Sequence, residues 1–173
     1  ITPQLFDLTG QVALITGSSK GMGKAMAHAL AEHGSKVVIS SRKLDQCEET
    51  AAEINAACGE ERAIAIACNI GYKEQLQALV DETRERLGPI DTLIANAGVN
   101  PFYGSMSDIP DDAFDKTINS NVRSNHWLCQ MVAPDMLEKG RGSIMITASV
   151  GAFGPSDTLG TYNISKLEIG RAH

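Results

Sequence analysis

The sequence predicts an α/β fold, a parallel β-sheet with helices on both faces, and three observations support this prediction. Five short apolar segments alternate with longer segments in which apolar residues recur at helical spacing. The first apolar segment runs directly into a glycine-rich turn that opens a helix. The 173 residues contain no internal repeat and no low-complexity tract, which indicates one domain. Strands that alternate with helices in this way form parallel sheets.

Each predicted element follows from its local pattern. Gly34 closes the first helix, and Gly88 with Pro89 ends the third. The helical region after Pro110 can contain a break. Residues 1–10 form a lead-in to a single domain over residues 1–173. The predicted strands are 12–16, 36–40, 63–68, 91–95 and 142–147, and the predicted helices are 23–33, 44–58, 73–87, 110–139 and 162 onward.

Composition and charge exclude several classes of protein. The chain carries 15 basic and 21 acidic residues and no long basic run, so nucleic acid is not an expected partner. No apolar stretch approaches the roughly 20 residues of a membrane span, and the first residues lack the features of a signal peptide. The four cysteines, which have no paired spacing, are Cys47, Cys58, Cys68 and Cys129. This pattern predicts reduced thiols in a cytoplasmic protein and no metal site formed by them.

A glycine-rich loop with the spacing G-x-x-x-G-x-G lies between the first strand and the first helix. Glycine lets a backbone turn sharply and approach a pyrophosphate. The helix that follows offers free N–H groups and the positive end of its dipole. A tight turn without a ligand is the alternative interpretation of this segment taken alone. The predicted cofactor contacts of the loop are Gly17, Ser19, Lys20, Gly21, Met22 and Gly23.

Four further segments follow the loop in order. They are Asn96-Ala97-Gly98 after the fourth strand, Asn121 in the long helical region, Ser149 after the fifth strand, and the Y-x-x-x-K pair Tyr162 and Lys166. With these segments, the chain resembles the short-chain dehydrogenase/reductase family, of the classical type, over about residues 8–166. The resemblance implies a Rossmann-type doubly wound parallel sheet whose last strands are missing from this chain.

Tyr162 and Lys166 are the centre of the predicted catalytic group. Their separation of four residues places both on one face of a helix. Free tyrosine has a pKa of about 10 and is a weak acid at neutral pH. A neighbouring ammonium favours the phenolate, so we expect Lys166 to tune Tyr162 for proton transfer. An ordinary, partly exposed helix face is the alternative for this pair taken alone.

The resemblance implies further roles around this pair. Tyr162 and Lys166 would also contact the cofactor, and Lys166 would hold the ribose hydroxyls of the nicotinamide nucleotide. Ser149 would donate a hydrogen bond to the substrate oxygen, and Asn121 would anchor a water that links Lys166 to solvent as a proton relay. Asn96, Ala97 and Gly98 would line the cofactor pocket, with a structural turn as the alternative.

The residues after the second strand predict the choice of cofactor. Selectivity for NAD(H) commonly requires an acidic residue there, which bonds the 2′-hydroxyl of the adenosine ribose. Ser41, Arg42 and Lys43 occupy this segment instead, and Lys20 adds another cation. Arginine can bind a phosphate through two N–H donors that lie in one plane. Because NADP(H) carries a 2′-phosphate on this ribose, the cofactor is expected to be NADP(H) rather than NAD(H). A solvated basic turn is the alternative. Near the adenine ring, the expected contacts are Asn69 and Ile70.

The predicted function is hydride transfer between NADP(H) and a small carbonyl or alcohol substrate. Aromatic residues in the segment 100–104, with Phe153 and Gly154, suit an apolar substrate pocket, and core packing is their alternative role. The resemblance implies a homodimer or homotetramer that pairs the helix after Pro110 and the helix of Tyr162. The alternatives are an NAD(H)-dependent alcohol dehydrogenase of the same family, a regulatory protein without catalysis, and an inactive gene fragment.

Residues 168–173 are expected to be foreign to the gene. The resemblance stops at Lys166 or Leu167, and Gly170 costs a helix about 1 kcal/mol relative to alanine. The last six residues can be encoded as GAG ATC GGA AGA GCA CAC, which contains the opening of a widely used sequencing adapter; a chance peptide is the alternative. With Ile1 in place of an initiator methionine, this predicts an incomplete product that is itself inactive.

Overall fold

A computed structural model describes residues 5–154 and 156–167 of the chain. Five parallel strands form one sheet in the order β3-β2-β1-β4-β5. The strands are β1 (Val12–Thr16), β2 (Lys36–Ser41), β3 (Ala63–Ala67), β4 (Thr92–Ala95) and β5 (Ser143–Ile146). The helices are α1 (Gly21–Glu32), α2 (Leu44–Cys58), α3 (Lys73–Leu87), α4 (Asp111–Ile118), α5 (Ser124–Lys139) and α6 (Gly160–Leu167). This topology confirms the predicted doubly wound, Rossmann-type sheet.

The central strand β1 is buried on both faces, which explains its continuous apolar sequence. Val12 and Leu14 pack into a core with residues of α3 and α5. Ala13 and Ile15 pack into a second core with residues of α1 and α2. Since successive side chains of a strand point to opposite faces, β1 contributes to both cores and connects the two helical layers.

The register of the sheet brings the carboxyl ends of neighbouring strands together. Leu14 of β1 lies opposite Val38 of β2 and Leu93 of β4. Parallel pairing therefore aligns the carboxyl ends of these strands at one edge of the sheet, where the glycine-rich loop also begins. In open α/β sheets, ligands bind at the carboxyl ends of the strands, at the point where the order of the strands in the sheet reverses.

Most predicted boundaries agree with the structure, and the long helical region after Pro110 differs in form. Its predicted break is one widened, π-type turn over Asn119–Arg123, which joins α4 to α5 without a loop. Strand β4 starts at Thr92, one residue later than predicted, and the carboxylate of the preceding Asp91 is buried. It accepts hydrogen bonds from the Val12 N–H at 2.9 Å and from Lys139 Nζ at 2.7 Å.

Strand β5 forms one edge of the described sheet, and Ile144 and Met145 on it remain exposed. Within residues 5–154 and 156–167, no helix combines the length and the apolar character that a membrane span requires. The predictions for Ile1 and for residues 168–173 lie outside the described residues.

Candidate active site

A cleft of about 550 Å³ lies at the carboxyl edge of the sheet. Its walls are the glycine-rich loop, the segments that follow β2, β3 and β4, and one face of α4. A larger, open groove of about 710 Å³ follows the β3 edge, but no predicted site residue lines it. The predicted residues that line the cleft are Gly17, Ser19, Lys20, Gly21, Met22, Ser41, Arg42, Asn69, Ile70, Asn96, Ala97 and Gly98.

The glycine-rich loop is fixed to β2 by hydrogen bonds. The N–H groups of Gly17 and Ser18 donate to the carbonyl of Ser40 at 2.8 and 3.1 Å. The buried hydroxyl of Ser18 donates to Ile15 and accepts from the Ser40 N–H. Thr50 of α2 donates to the carbonyl of Ser19 at 3.1 Å. Ser18 and Thr50 were absent from the predicted site, since only their tertiary contacts reveal that they shape the loop.

Gly23 has a packing role and does not line the cleft. A methyl group on it would lie 2.3 Å from the carbonyl oxygen of Gly17 and 2.7 Å from Nδ2 of Asn96. Only glycine therefore allows α1 to approach the loop this closely. Lys43 also lies outside the cleft lining; it is exposed, and its backbone pairs with the hydroxyl of Ser41.

Asn96 joins the ends of three strands. Its Nδ2 donates to the carbonyls of Thr16 and Gly17 at 3.1 and 3.0 Å. Its Oδ1 accepts a hydrogen bond from Thr147 Oγ1, after β5. Asn96 thus lines the cleft and also holds the glycine-rich loop in place.

Asn121 is fully buried in the widened turn and faces the end of β4. Its Oδ1 accepts from the Val99 N–H at 2.8 Å, and its Nδ2 donates to the Val99 carbonyl at 2.9 Å. The same Nδ2 donates to Ser165 Oγ of α6 at 3.0 Å. Three hydrogen bonds therefore hold the Asn121 side chain between the segment after β4 and the helix of Tyr162.

Lys166 is buried behind Gly98 and does not itself line the cleft. Its Nζ donates to the Thr147 carbonyl at 2.7 Å, and the residue is 4% exposed. A methyl group on Gly98 would lie 3.3 Å from this Nζ and 3.3 Å from Oδ1 of Asn121. Gly98 therefore separates the cleft from both polar groups. Burial lowers the pKa of the Lys166 ammonium, because desolvation disfavours its charged form.

Tyr162 lies beside the predicted substrate segment, whereas Ser149 lies after β5. Tyr162 is half-buried and lines a small cavity with Asn100 and Phe102. Ser149 precedes a short 3₁₀ turn, and its hydroxyl accepts from the Gly151 N–H at 3.2 Å. Phe153, also predicted to border the substrate pocket, is 92% exposed and does not belong to the core.

The charges of the cleft are positive. Lys20 and Arg42 line it as predicted, and Lys116 of α4, absent from the predicted site, adds a third cation. Among the described residues that line the cleft, none is an aspartate or a glutamate. Asn69 Oδ1 accepts from the Gly71 N–H at 3.1 Å, which shapes the turn after β3. A cleft with this charge and a glycine-rich floor suits a nucleotide with several phosphates.

Comparisons with known proteins agree with this geometry. The family model described as short chain dehydrogenase matches residues 11–170. Dehydrogenase/reductase SDR family member 4 of Bos taurus is 39% identical over 163 residues, which are 94% of this chain and 57% of that protein. The human protein of the same name is 38% identical and matched over 58% of its length. The chain thus spans less than two thirds of the curated relatives that it matches.

Solved structures of similar proteins contain nicotinamide cofactors of both kinds. A 7α-hydroxysteroid dehydrogenase complexed with NADH and 7-oxo glycochenodeoxycholic acid has a TM-score of 0.90 and 32% identity, over 97% of this chain and 64% of that one. A metagenomic short-chain oxidoreductase in complex with NADP has a TM-score of 0.88 and 32% identity, over 94% of this chain and 73% of that one.

Proposed function

Because this chain belongs to the short-chain dehydrogenase family, we propose that the full-length protein transfers a hydride between NADP(H) and a carbonyl group or secondary alcohol. The observation that carries this proposal is the position of the buried Lys166 ammonium. It lies directly behind Gly98, a residue that lines the cleft with the glycine-rich floor, and Tyr162 lies one helical turn earlier on α6. The nicotinamide ring would supply the hydride, and the protein would supply orientation and proton transfer.

Each polar group has a proposed task in that reaction. Tyr162 would donate a proton to the carbonyl oxygen, or remove one from the alcohol. Ser149 would donate a hydrogen bond to the same oxygen and stabilise its developing negative charge. Lys166 would hold the ribose hydroxyls and favour the phenolate of Tyr162. Asn121 would anchor the water of a proton relay that begins at Lys166.

The remaining cleft residues fit a dinucleotide. Backbone N–H groups at the start of α1, from Gly21 and Met22, would bind the pyrophosphate. Asn69 and Ile70 would contact the adenine ring. Lys20 and Arg42 would bind a 2′-phosphate on the adenosine ribose, which an acidic residue at the position of Ser41 would repel.

We expect the full-length protein to prefer NADPH to NADH. Hydrogen bonds to charged groups contribute about 1.5–3 kcal/mol each, so kcat/KM should differ by at least about tenfold. Arg42→Ala should lower kcat/KM for NADPH and leave kcat/KM for NADH nearly unchanged. The matched control is Lys43→Ala, which removes a neighbouring cation that does not line the cleft. Equal efficiencies with both cofactors would contradict this prediction, and a higher efficiency with NADH would favour an NAD(H)-dependent alcohol dehydrogenase.

We also expect the full-length protein to form a homodimer or homotetramer. The helices proposed for this contact, α4, α5 and α6, expose apolar side chains at Phe114, Leu137 and Ile164. A two-fold axis would pair each helix with its own copy and cover these side chains. Light scattering at micromolar concentration would test the prediction, and a monomer under those conditions would contradict it.

The proposed substrate is a small apolar carbonyl compound or alcohol, and the proposed compartment is the cytoplasm. The exposed aromatic rings of Tyr103 and Phe153, on segments next to Tyr162 and Ser149, suit an apolar substrate. All four cysteines are free, which suits a reducing compartment.

A further inference from the structure

Two side chains outside the proposed site hold the widened turn that carries Asn121. The Ser124 N–H donates to the carbonyl of Asn119, five residues earlier instead of four. Such a turn holds one residue more than a regular α-helical turn, and it occurs frequently at functional sites. It shifts the backbone hydrogen bonds out of the regular α-helical pattern.

Ser124 and Asn125 donate side-chain hydrogen bonds to two carbonyls of this turn. Ser124 Oγ donates to the Ser120 carbonyl at 2.5 Å, and Asn125 Nδ2 donates to the Asn121 carbonyl at 2.6 Å. All four residues are buried. A side chain that bonds to the carbonyl four residues earlier competes with the regular helix and often bends it. Two consecutive side chains with this bond therefore favour the widened turn over a continuous α-helix.

The turn sets the direction of the Asn121 side chain. With one residue fewer, a regular helix would rotate Asn121 by roughly 100° about the helix axis. Its hydrogen bonds to Val99 and Ser165 would then be lost. Ser165 Oγ in turn donates to the Tyr162 carbonyl at 2.7 Å. The Asn125 side chain therefore bonds to the backbone of Asn121. The Asn121 side chain is in turn connected through Ser165 to the backbone of the proposed catalytic tyrosine.

We infer that Ser124 and Asn125 are positioning residues, which fix the widened turn and thereby hold Asn121 and α6 in register for turnover. The inference rests on the proposed function, because it gives Asn121 and Tyr162 their catalytic tasks. Neither side chain lines the cleft, so their effect should appear in kcat far more than in the KM for the cofactor.

The decisive comparison is Asn125→Ala against Asn125→Ser in the full-length protein. Both changes remove a similar volume, but serine keeps a hydroxyl that can donate to the carbonyl four residues earlier. A misplacement of about 1 Å can reduce turnover on the order of 100-fold, so we expect a large loss of kcat for Asn125→Ala. Asn125→Ser should retain most of the wild-type kcat, and Ser124→Ala should behave like Asn125→Ala with a smaller loss.

Thr117→Val is the matched control for this comparison. Thr117 is buried on α4, and its hydroxyl donates to the Ala113 carbonyl, four residues earlier, at 2.8 Å. This bond is of the same kind but lies outside the widened turn. We therefore expect kcat for Thr117→Val to stay near the wild-type value.

Hydrogen exchange of the Val99 amide gives a second measurement that needs no activity. The Val99 N–H donates to Asn121 Oδ1, so its exchange should become faster in Asn125→Ala and stay slow in Asn125→Ser. Equal kcat values for the two Asn125 variants, or unchanged Val99 exchange in Asn125→Ala, would overturn the inference. If the wild type reduces no carbonyl compound, the proposed function fails, while faster Val99 exchange in Asn125→Ala would still support the positioning role.

Discussion

Tyr162→Phe should remove nearly all carbonyl reduction by the full-length protein and leave NADPH binding almost unchanged. The change deletes one hydroxyl group, the proposed proton donor, and keeps the aromatic ring that lines the small cavity with Asn100 and Phe102. General acid catalysis contributes about 10²–10⁴-fold to a rate, so kcat should fall by a factor in that range. Steady-state kinetics would measure kcat, and NADPH fluorescence would measure the dissociation constant in the same preparations.

The two measurements separate the proposed roles of Tyr162. A low kcat with unchanged NADPH affinity would support Tyr162 as the acid. If the variant retains more than a small fraction of kcat, another group must donate the proton. If NADPH affinity also falls steeply, the hydroxyl group of Tyr162 contributes to cofactor binding as well.

Lys166→Met should remove turnover and weaken NADPH binding together. Methionine keeps an unbranched apolar chain of similar length, but it lacks the ammonium that would hold the ribose hydroxyls. Loss of a charged hydrogen bond costs about 1.5–3 kcal/mol, so the dissociation constant for NADPH should rise at least about tenfold. A variant with unchanged NADPH affinity would contradict the proposed contact between Lys166 and the ribose.

Lys166→Met should be at least as stable against unfolding as the wild type at pH 7 in the absence of cofactor. Burial lowers the pKa of Lys166 below its ordinary value of 10.5, so the folded state gives up this proton more readily than the unfolded state. The cost of burying the charge is therefore present at neutral pH and disappears as the pH rises toward 10.5. The advantage of Lys166→Met in thermal unfolding should shrink over the same range.

Lys43→Met is the control for the general effect of removing a charge, because Lys43 is exposed. It should change neither NADPH affinity nor the pH dependence of unfolding to a comparable extent. A wild-type protein that is clearly more stable than Lys166→Met at pH 7 would show that the bond from Lys166 to the Thr147 carbonyl outweighs desolvation.

The sequence by itself determined the architecture and most of the cleft. Apolar runs such as 12–16 and 36–40 identify buried parallel strands, because short-range periodicity reflects which faces are covered. The glycine-rich loop and the cations Lys20 and Arg42 were found because they immediately follow strands, whose ends meet at one edge of the sheet. The spacing of Tyr162 and Lys166 predicts that both lie on one helix, and in the structure this helix is α6.

Only the tertiary structure decided how these parts are held and which residues reach the cleft. Gly23 and Lys43 belong to the predicted cofactor segments but do not line the cleft, whereas Lys116 of α4 does. The bonds of Asn96 to Gly17 and Thr147 join residues far apart in the chain. Local periodicity carries no information about such contacts, because they depend on how separate strands and helices pack against one another. The widened turn at Asn121 was predicted only as a break, since its form depends on buried hydrogen bonds to Val99 and Ser165.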